Sequence, residues 1–179
     1  MAPSTRGSGP VAPAGPGGRK RLLYLRFDIA GDRYVLPASS IVRMLPVTPL
    51  KSLPAAPPWV AGVLLYGDTP VPVIDVRALA LGQASAARAS TRIAVVDYRP
   101  AADAPAHLLG LLLEHATETV HYDPDDFVPY GLDNRDARYL GPVRADAHGM
   151  VQWVHLRDLL PADVRERLFQ DAAQEAAAP

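Results

Sequence analysis

The chain has 179 residues, 49% of them apolar and 21% charged, with a net charge of −1 and no cysteine. That is the length of one ordinary domain, or of two small ones sharing a core, and it leaves no room for a multidomain enzyme. The near-neutral balance offers no general attraction to nucleic acid. The lack of cysteine excludes disulfides, thiolate metal sites and thiol nucleophiles, in keeping with a reducing, cytoplasmic compartment.

Residues 1–21 carry Arg6, Arg19, Lys20 and Arg21 and no acid, whereas the remainder holds 14 basic and 19 acidic residues, so a tail of +4 precedes a body of −5. Met1 to Gly18 is half Gly and Pro and lacks the apolar stretch of a secretory signal, which predicts a disordered, unexported tail. The domain then occupies 22–170, with a flexible end over 171–179. Its best apolar run, Leu108 to Leu113, is far short of the roughly 20 residues that span a bilayer, so no direct membrane insertion is expected.

From Leu23 the apolar residues Leu23, Leu25, Phe27 and Ile29 fall at every second position, the pattern of a half-buried strand. Gly31-Asp32 then suits a hairpin turn leading into Tyr34-Val35-Leu36. Ile41 to Val47 and Val60 to Tyr66 continue the meander, and the prolines at 46, 49, 54, 57 and 58 forbid a helix between them. In Pro70-Val71-Pro72-Val73-Ile74-Asp75-Val76 the two prolines delete amides on one side, so the start of this strand lies at a sheet edge or a bulge. Gly82 to Ser90 reads as a loop joining two halves. Thr91 to Tyr98 and Leu108 to Leu113 are strong strands, and Thr117 to His121 alternates again before the acidic turn Asp123 to Asp126. A Gly-, Asn- and Asp-rich stretch covers Gly131 to Arg138, and Met150 to Leu156 is the last strand. Only the end looks helical, with Pro161 at its start and Val164 and Leu168 on one face. Many short strands with Pro- and Gly-rich turns predict an all-β protein of two small barrels.

No pattern carries chemistry. Glu114-His115 are adjacent on a strand and point to opposite faces, so they do not converge on a metal with His121 and Asp123. His155 sits in an apolar strand as a half-buried residue. The serines at 39, 40, 85 and 90 lack the G-x-S-x-G context of a nucleophile, and no phosphate-binding glycine loop or zinc motif occurs. No cofactor, metal or catalytic residue is therefore predicted. A small hydrolase using His155 or His115 with a nearby acid remains as a competing class, as does an SH3-like binding module serving a non-chemotactic signalling kinase.

The order of segments resembles the CheW family over residues 23 to 160. Phe27-x-Ile29-x-Gly31-x-x-Tyr34-x-Leu36 looks like its first hairpin. Leu53-Pro54-x-x-Pro57-x-Trp59-Val60-x-Gly62-Val63, followed by Pro72-Val73-Ile74-Asp75-Val76-Arg77, is similar to its most diagnostic block. Thr91-Arg92-Ile93-x-Val95-Val96, Gly110 to Glu114, Tyr139-Leu140-Gly141 and Leu156-x-x-Leu159-Leu160 follow in family order. The resemblance implies two five-stranded SH3-like barrels sharing a hydrophobic core, switching near residues 82–90, with a short C-terminal helix. It further implies a non-catalytic adaptor coupling a chemoreceptor's cytoplasmic hairpin tip to the regulatory domain of a CheA-type histidine kinase.

The partner-binding positions that carry over are Ile41, Arg43, Met44, Gly62, Tyr66, Gly67, Asp68 and Thr69. Five of them also have a plain structural explanation: Ile41 and Met44 as core, Gly62 as a close approach of backbone, Gly67-Asp68 as a hairpin turn. Two departures bear on the partner. The family's usual Asn-Leu-Arg-Gly turn is replaced by Leu65-Tyr66-Gly67-Asp68, which loses the arginine and introduces a carboxylate, and the family's acid after the second strand's Val is replaced by Arg43. The pattern looks more like the adaptors of alternative, surface-sensing (Wsp-like) pathways than like a standard chemotaxis adaptor.

Overall fold

The structure is a computed structural model that describes residues 20–131 and 135–169. The expected N-terminal tail up to residue 19 and the expected flexible end from residue 171 lie outside these residues. The strands are β1 (Leu22–Ile29), β2 (Asp32–Pro37), β3 (Ile41–Pro46), β4 (Val60–Tyr66), β5 (Thr69–Asp75), β6 (Arg92–Tyr98), β7 (His107–Tyr122), β8 (Leu140–Asp146) and β9 (Gly149–Val154). Two short helices complete them, α1 (Val76–Leu81) and α2 (Ala162–Leu168).

The strands form two SH3-like barrels of five that share β7. One runs β7-β1-β2-β9-β8 and the other β3-β6-β7-β5-β4. All neighbours are antiparallel except β2 with β9 and β5 with β7. The chain leaving β7 bridges back to β8 through Val128 and Val143, and the chain leaving β3 bridges to β4 through Lys51 and Val63. Each bridge draws together the two ends of a five-strand order, which curls the sheet towards closure.

The barrels therefore have the same strand order and directions, with β3, β6, β7, β5 and β4 of one matching β7, β1, β2, β9 and β8 of the other. The match extends to single bonds: the Asp75 amide donates to the Trp59 carbonyl at 2.8 Å, and the His155 amide donates to the Tyr139 carbonyl at 2.7 Å. In chain order one barrel is a circular permutation of the other. The chain crosses between them at the 3₁₀ turn Ala38–Ser40 and within β7, so residues 82–90 do not separate the barrels. That loop lies wholly within the second barrel, where it joins α1 to β6.

Alternate residues of the central strands serve two different cores, so these strands are apolar on both faces. Leu25, Phe27 and Ile29 of β1, Leu36 of β2, Ala94, Val96 and Tyr98 of β6, and Leu109, Leu111 and Leu113 of β7 pack into a core shared between the barrels. The opposite faces fill the barrel interiors. Tyr24, Val35, Tyr122, Phe127 and Val151 fill the first, with Trp153 against them, and Leu64, Val73, Ile93 and Val95 fill the second. The alternation predicted for β1 holds from Leu25 onward, whereas Leu23 is 39% exposed and Tyr24 is buried.

Several elements differ from expectation. The first hairpin turns at Ala30-Gly31, not Gly31-Asp32, since Ile29 pairs with Asp32 and both turn residues have positive φ. Leu108 to Leu113 and Thr117 to His121 belong to one 16-residue strand. The residues between them form an irregularity, with Arg26 opposite Glu118 but Asp28 opposite Glu114, and with His115 at φ 50°. That kink lets one strand serve two sheets, as bulges do elsewhere. Helix α1 was not anticipated, although its signals are present: the Asp75 carboxylate accepts from the Ala78 amide at 3.1 Å, and Gly82 at φ 68° closes the other end. Strand β8 was not anticipated either; Gly141 and Pro142 at its start break the apolar alternation.

The prolines of β5 behave as their missing amides require. Pro70 and Pro72 pair only with β4, and β7 joins the other flank from Val73 onward. The shared strand meets β5 only where amides are available.

Candidate functional site

Of the eight predicted contact residues, three are held by packing. Ile41 and Met44 on β3 are half-buried against the shared core. Gly62 is buried at the register break of β4, with φ 144°. A Cβ there would lie 2.6 Å from the Lys51 carbonyl oxygen and 3.0 Å from the Leu50 Cβ. Lys51 is the residue that bridges to Val63, with amide-to-carbonyl bonds of 3.0 and 2.8 Å in the two directions. Gly62 thus permits the chain after β3 to cross β4 at backbone contact distance.

The other five are at the surface or close to it. Arg43 is exposed on β3. Tyr66 and Thr69 pair at the end of the β4–β5 hairpin and Gly67-Asp68 forms its turn, with Gly67 at φ 60°. Tyr66 is half-buried against the interior of the second barrel, and Gly67, Asp68 and Thr69 are exposed. Neither Arg43 nor Asp68 makes an ion pair or side-chain hydrogen bond among the described residues. β3 and β4 stand at the two ends of the strand order and meet through the Lys51–Val63 bridge. Arg43 and the hairpin turn are therefore two separate stations on one barrel.

Sequence reasoning overlooked the apolar surface around these stations. Val42, Val47, Leu53 and Leu65 are exposed, Leu65 to 68%. Leu65 alternates with buried Leu64, and such an outward-facing leucine was detectable from register alone. Beside them a groove of about 480 Å³ runs between Leu53, Val63, Thr69, Pro70 and Pro72 of the second barrel and Leu168 and Phe169 at the end of α2. The Phe169 ring stacks on His107 with centroids 4.3 Å apart.

The buried acids have structural employment. Asp75 also accepts from the Ser85 amide at 2.8 Å and the Ser85 hydroxyl at 2.7 Å. Glu114 accepts from the Ala86 amide at 2.7 Å and from Arg77 at 3.1 Å. Burial pushes the Glu114 carboxyl up, but the Ala86 amide and the Arg77 guanidinium outweigh it and hold the group below its ordinary value. Together they pin the loop 82–90 onto α1 and β7. In the first barrel Arg33 grips Asp146 bidentately at 3.0 and 2.7 Å, and the Tyr122 hydroxyl donates to the same carboxylate at 2.9 Å. The Arg33 guanidinium holds the Asp146 carboxyl far below the usual carboxylate range, against the opposing effect of burial.

The histidines do not assemble chemistry. His115 and Asp28 are 3.1 Å apart at the kink of β7, while Glu114 turns to Arg77. His155 lies edge-on to Trp153 and against Gly141, where burial lowers its imidazole below the ordinary value. Among the described residues no serine hydrogen-bonds to either, and no group of three His, Cys, Asp or Glu is placed to hold a metal ion. No described helix is long and apolar enough to cross a membrane.

Two like barrels joined by one strand, with open apolar surface beside unpaired charges, define a double-barrel β domain of the protein-binding kind. The chain belongs to the CheW-like domain family, whose model matches residues 23–164. Among solved structures it is similar to the scaffolding protein TtCheW from Thermoanaerobacter tengcongensis, at 16% identity and a TM-score of 0.69. That match covers 81% of this chain and 91% of the other. No curated protein matches the sequence.

Proposed function

We propose that this chain is a non-catalytic adaptor that couples the cytoplasmic hairpin tip of a chemoreceptor to the regulatory domain of a CheA-type histidine kinase. Membership of the CheW-like family supports the scaffold role. The observation that carries the contact sites is the exposure of Arg43 and of the turn Gly67-Asp68, without ionic partners, among Val42, Val47, Leu53 and Leu65. An apolar surface set with a few unsatisfied charges suits partner recognition, in which apolar contacts contribute affinity and charges set specificity. The contact set is Arg43, Tyr66, Gly67, Asp68 and Thr69, with Ile41, Met44 and Gly62 holding it in shape. The reversed charge at Arg43, with the loss of the turn's arginine and the carboxylate introduced at Asp68, favours a receptor of the surface-sensing, Wsp-like type, one that offers an acid to Arg43 and a base to Asp68.

Titration calorimetry of the whole protein against each partner tests this reading. Saturable one-to-one binding is expected to both the kinase regulatory domain and the receptor hairpin. Asp68→Arg or Arg43→Glu should weaken one of the two bindings by about tenfold or more, as like charges meeting at an interface do, and leave the other unchanged. No binding to either partner refutes the adaptor role and leaves the family's fold serving some other kinase.

A further inference from the structure

The side of the molecule bearing α2 holds a second concavity that the proposed contact set does not use. It has a volume of about 430 Å³, within the range of small-ligand sites. Its floor is apolar, formed by Leu79 of α1 with Tyr139, Leu159 and Leu160 of the shared core. Its rim is arginine-rich: Arg135 and Arg138 follow the bridge segment of the first barrel, Arg157 follows β9, and Arg165 stands on α2. Among the described residues Asp136 and Asp158 are the acids lining it, so the described lining is net +2 on a body that is net −5.

Two features mark Arg138 and Arg157 within this rim. Arg26, Arg33, Arg77, Arg99 and Arg144 are each ion-paired to a carboxylate, whereas Arg138 and Arg157 make no ion pair or side-chain hydrogen bond among the described residues. They also come from separate stretches of chain and converge only through the fold. Guanidinium groups held along one rim, above an apolar floor, match a phosphate group carried on a partly apolar body.

We propose that this cleft binds a dianionic phosphate ester of about nucleotide size, with Arg138 and Arg157 on the phosphate and the floor at Leu79 and Tyr139 under the organic moiety. The site stands independently of the adaptor reading. Bound ligand would add a second link between the segment around Arg138 and the turn after β9, which the His155 amide already ties to the Tyr139 carbonyl at 2.7 Å.

Calorimetric titration of the full chain with pyrophosphate, ADP and a phosphoserine peptide tests it, at near-physiological ionic strength where non-specific charge attraction is screened. Saturable binding of ADP is expected, tighter than pyrophosphate because only ADP uses the floor. The double variant Arg138→Gln/Arg157→Gln should weaken it by about tenfold or more, given the usual strength of charged hydrogen bonds, while Arg88→Gln leaves it unchanged. If the peptide binds more tightly than ADP and responds to the same variants, the phosphate is that of a phosphorylated protein segment. Absence of saturable binding for all three probes, or binding indifferent to the double variant, overturns the proposal. Unchanged thermal melts of the variants exclude unfolding as the cause of any loss.

Discussion

Gly62 shows how one residue can look like a contact site and yet be fixed by packing. Its φ of 144° and the 2.6 Å approach of the Lys51 carbonyl to a would-be Cβ leave no space for alanine without moving backbone. Gly62→Ala is therefore expected to destabilise the fold by about 2 kcal/mol through strain and displacement of the Lys51–Val63 bridge. Urea unfolding would check this, and partner affinity measured well below the melting temperature should be nearly unchanged if the role is structural. Arg43 and Asp68 lie at the other extreme: nothing in the fold holds their charges, so their substitution should change binding and leave stability almost untouched. Which of the predicted residues belong to which group was not legible in the sequence, because burial depends on neighbours from β5, β6 and the crossing at Lys51.

At the scale of elements, the buried Glu114 and the half-buried Asp146 fasten neighbouring segments together. Glu114 secures loop 82–90 to β7, and Asp146 ties β8 to β2 and β7 through Arg33 and Tyr122. Both carboxyls are held below their ordinary values. Each bond set therefore contributes stability that is fully present above the unfolded carboxylate value and is lost as pH falls through the folded one. Unfolding free energy should accordingly decline on acidification below the ordinary carboxylate range, and Arg33→Ala should flatten the Asp146 share of that decline. A series of urea titrations across acidic pH would measure it; an unchanged slope in Arg33→Ala would remove Asp146 from the account. The element-level surprises have related causes. Helix α1 was hidden because its six residues follow directly from a strand without a turn, and β7 looked like two strands because its kink at Glu114-His115-Ala116 interrupts the apolar run.

For the whole molecule, the shared strand and the shared core make the two barrels one cooperative unit. Leu109, Leu111 and Leu113 of β7 face the inter-barrel core together with Phe27, Leu36 and Val154 of the first barrel. Leu111→Ala should cost about 3 kcal/mol and lower a single unfolding transition seen identically by far-ultraviolet dichroism and by fluorescence of Trp59 and Trp153, one tryptophan reporting from each barrel. Two separated transitions would show that the barrels unfold independently. By the same reasoning a fragment limited to residues 41–113 should not fold, since it exposes the apolar face that the first barrel covers.

The all-β class, most of the strands and the C-terminal helix were written in local pattern: period-two alternation, turn residues between apolar runs, and prolines that bar helix. The continuous apolar run Ile93 to Val96, read only as a strong strand, is buried on both faces in the structure. What covers each face was decided only by tertiary structure, because strand pairing depends on residues far apart in the chain. The same limit placed the boundary between barrels within β7 and after β2, not at the Ala- and Ser-rich loop 82–90 where composition changes. Local composition shows where a chain can bend, whereas the permuted pairing of two equivalent barrels is set by which distant strands exclude water together.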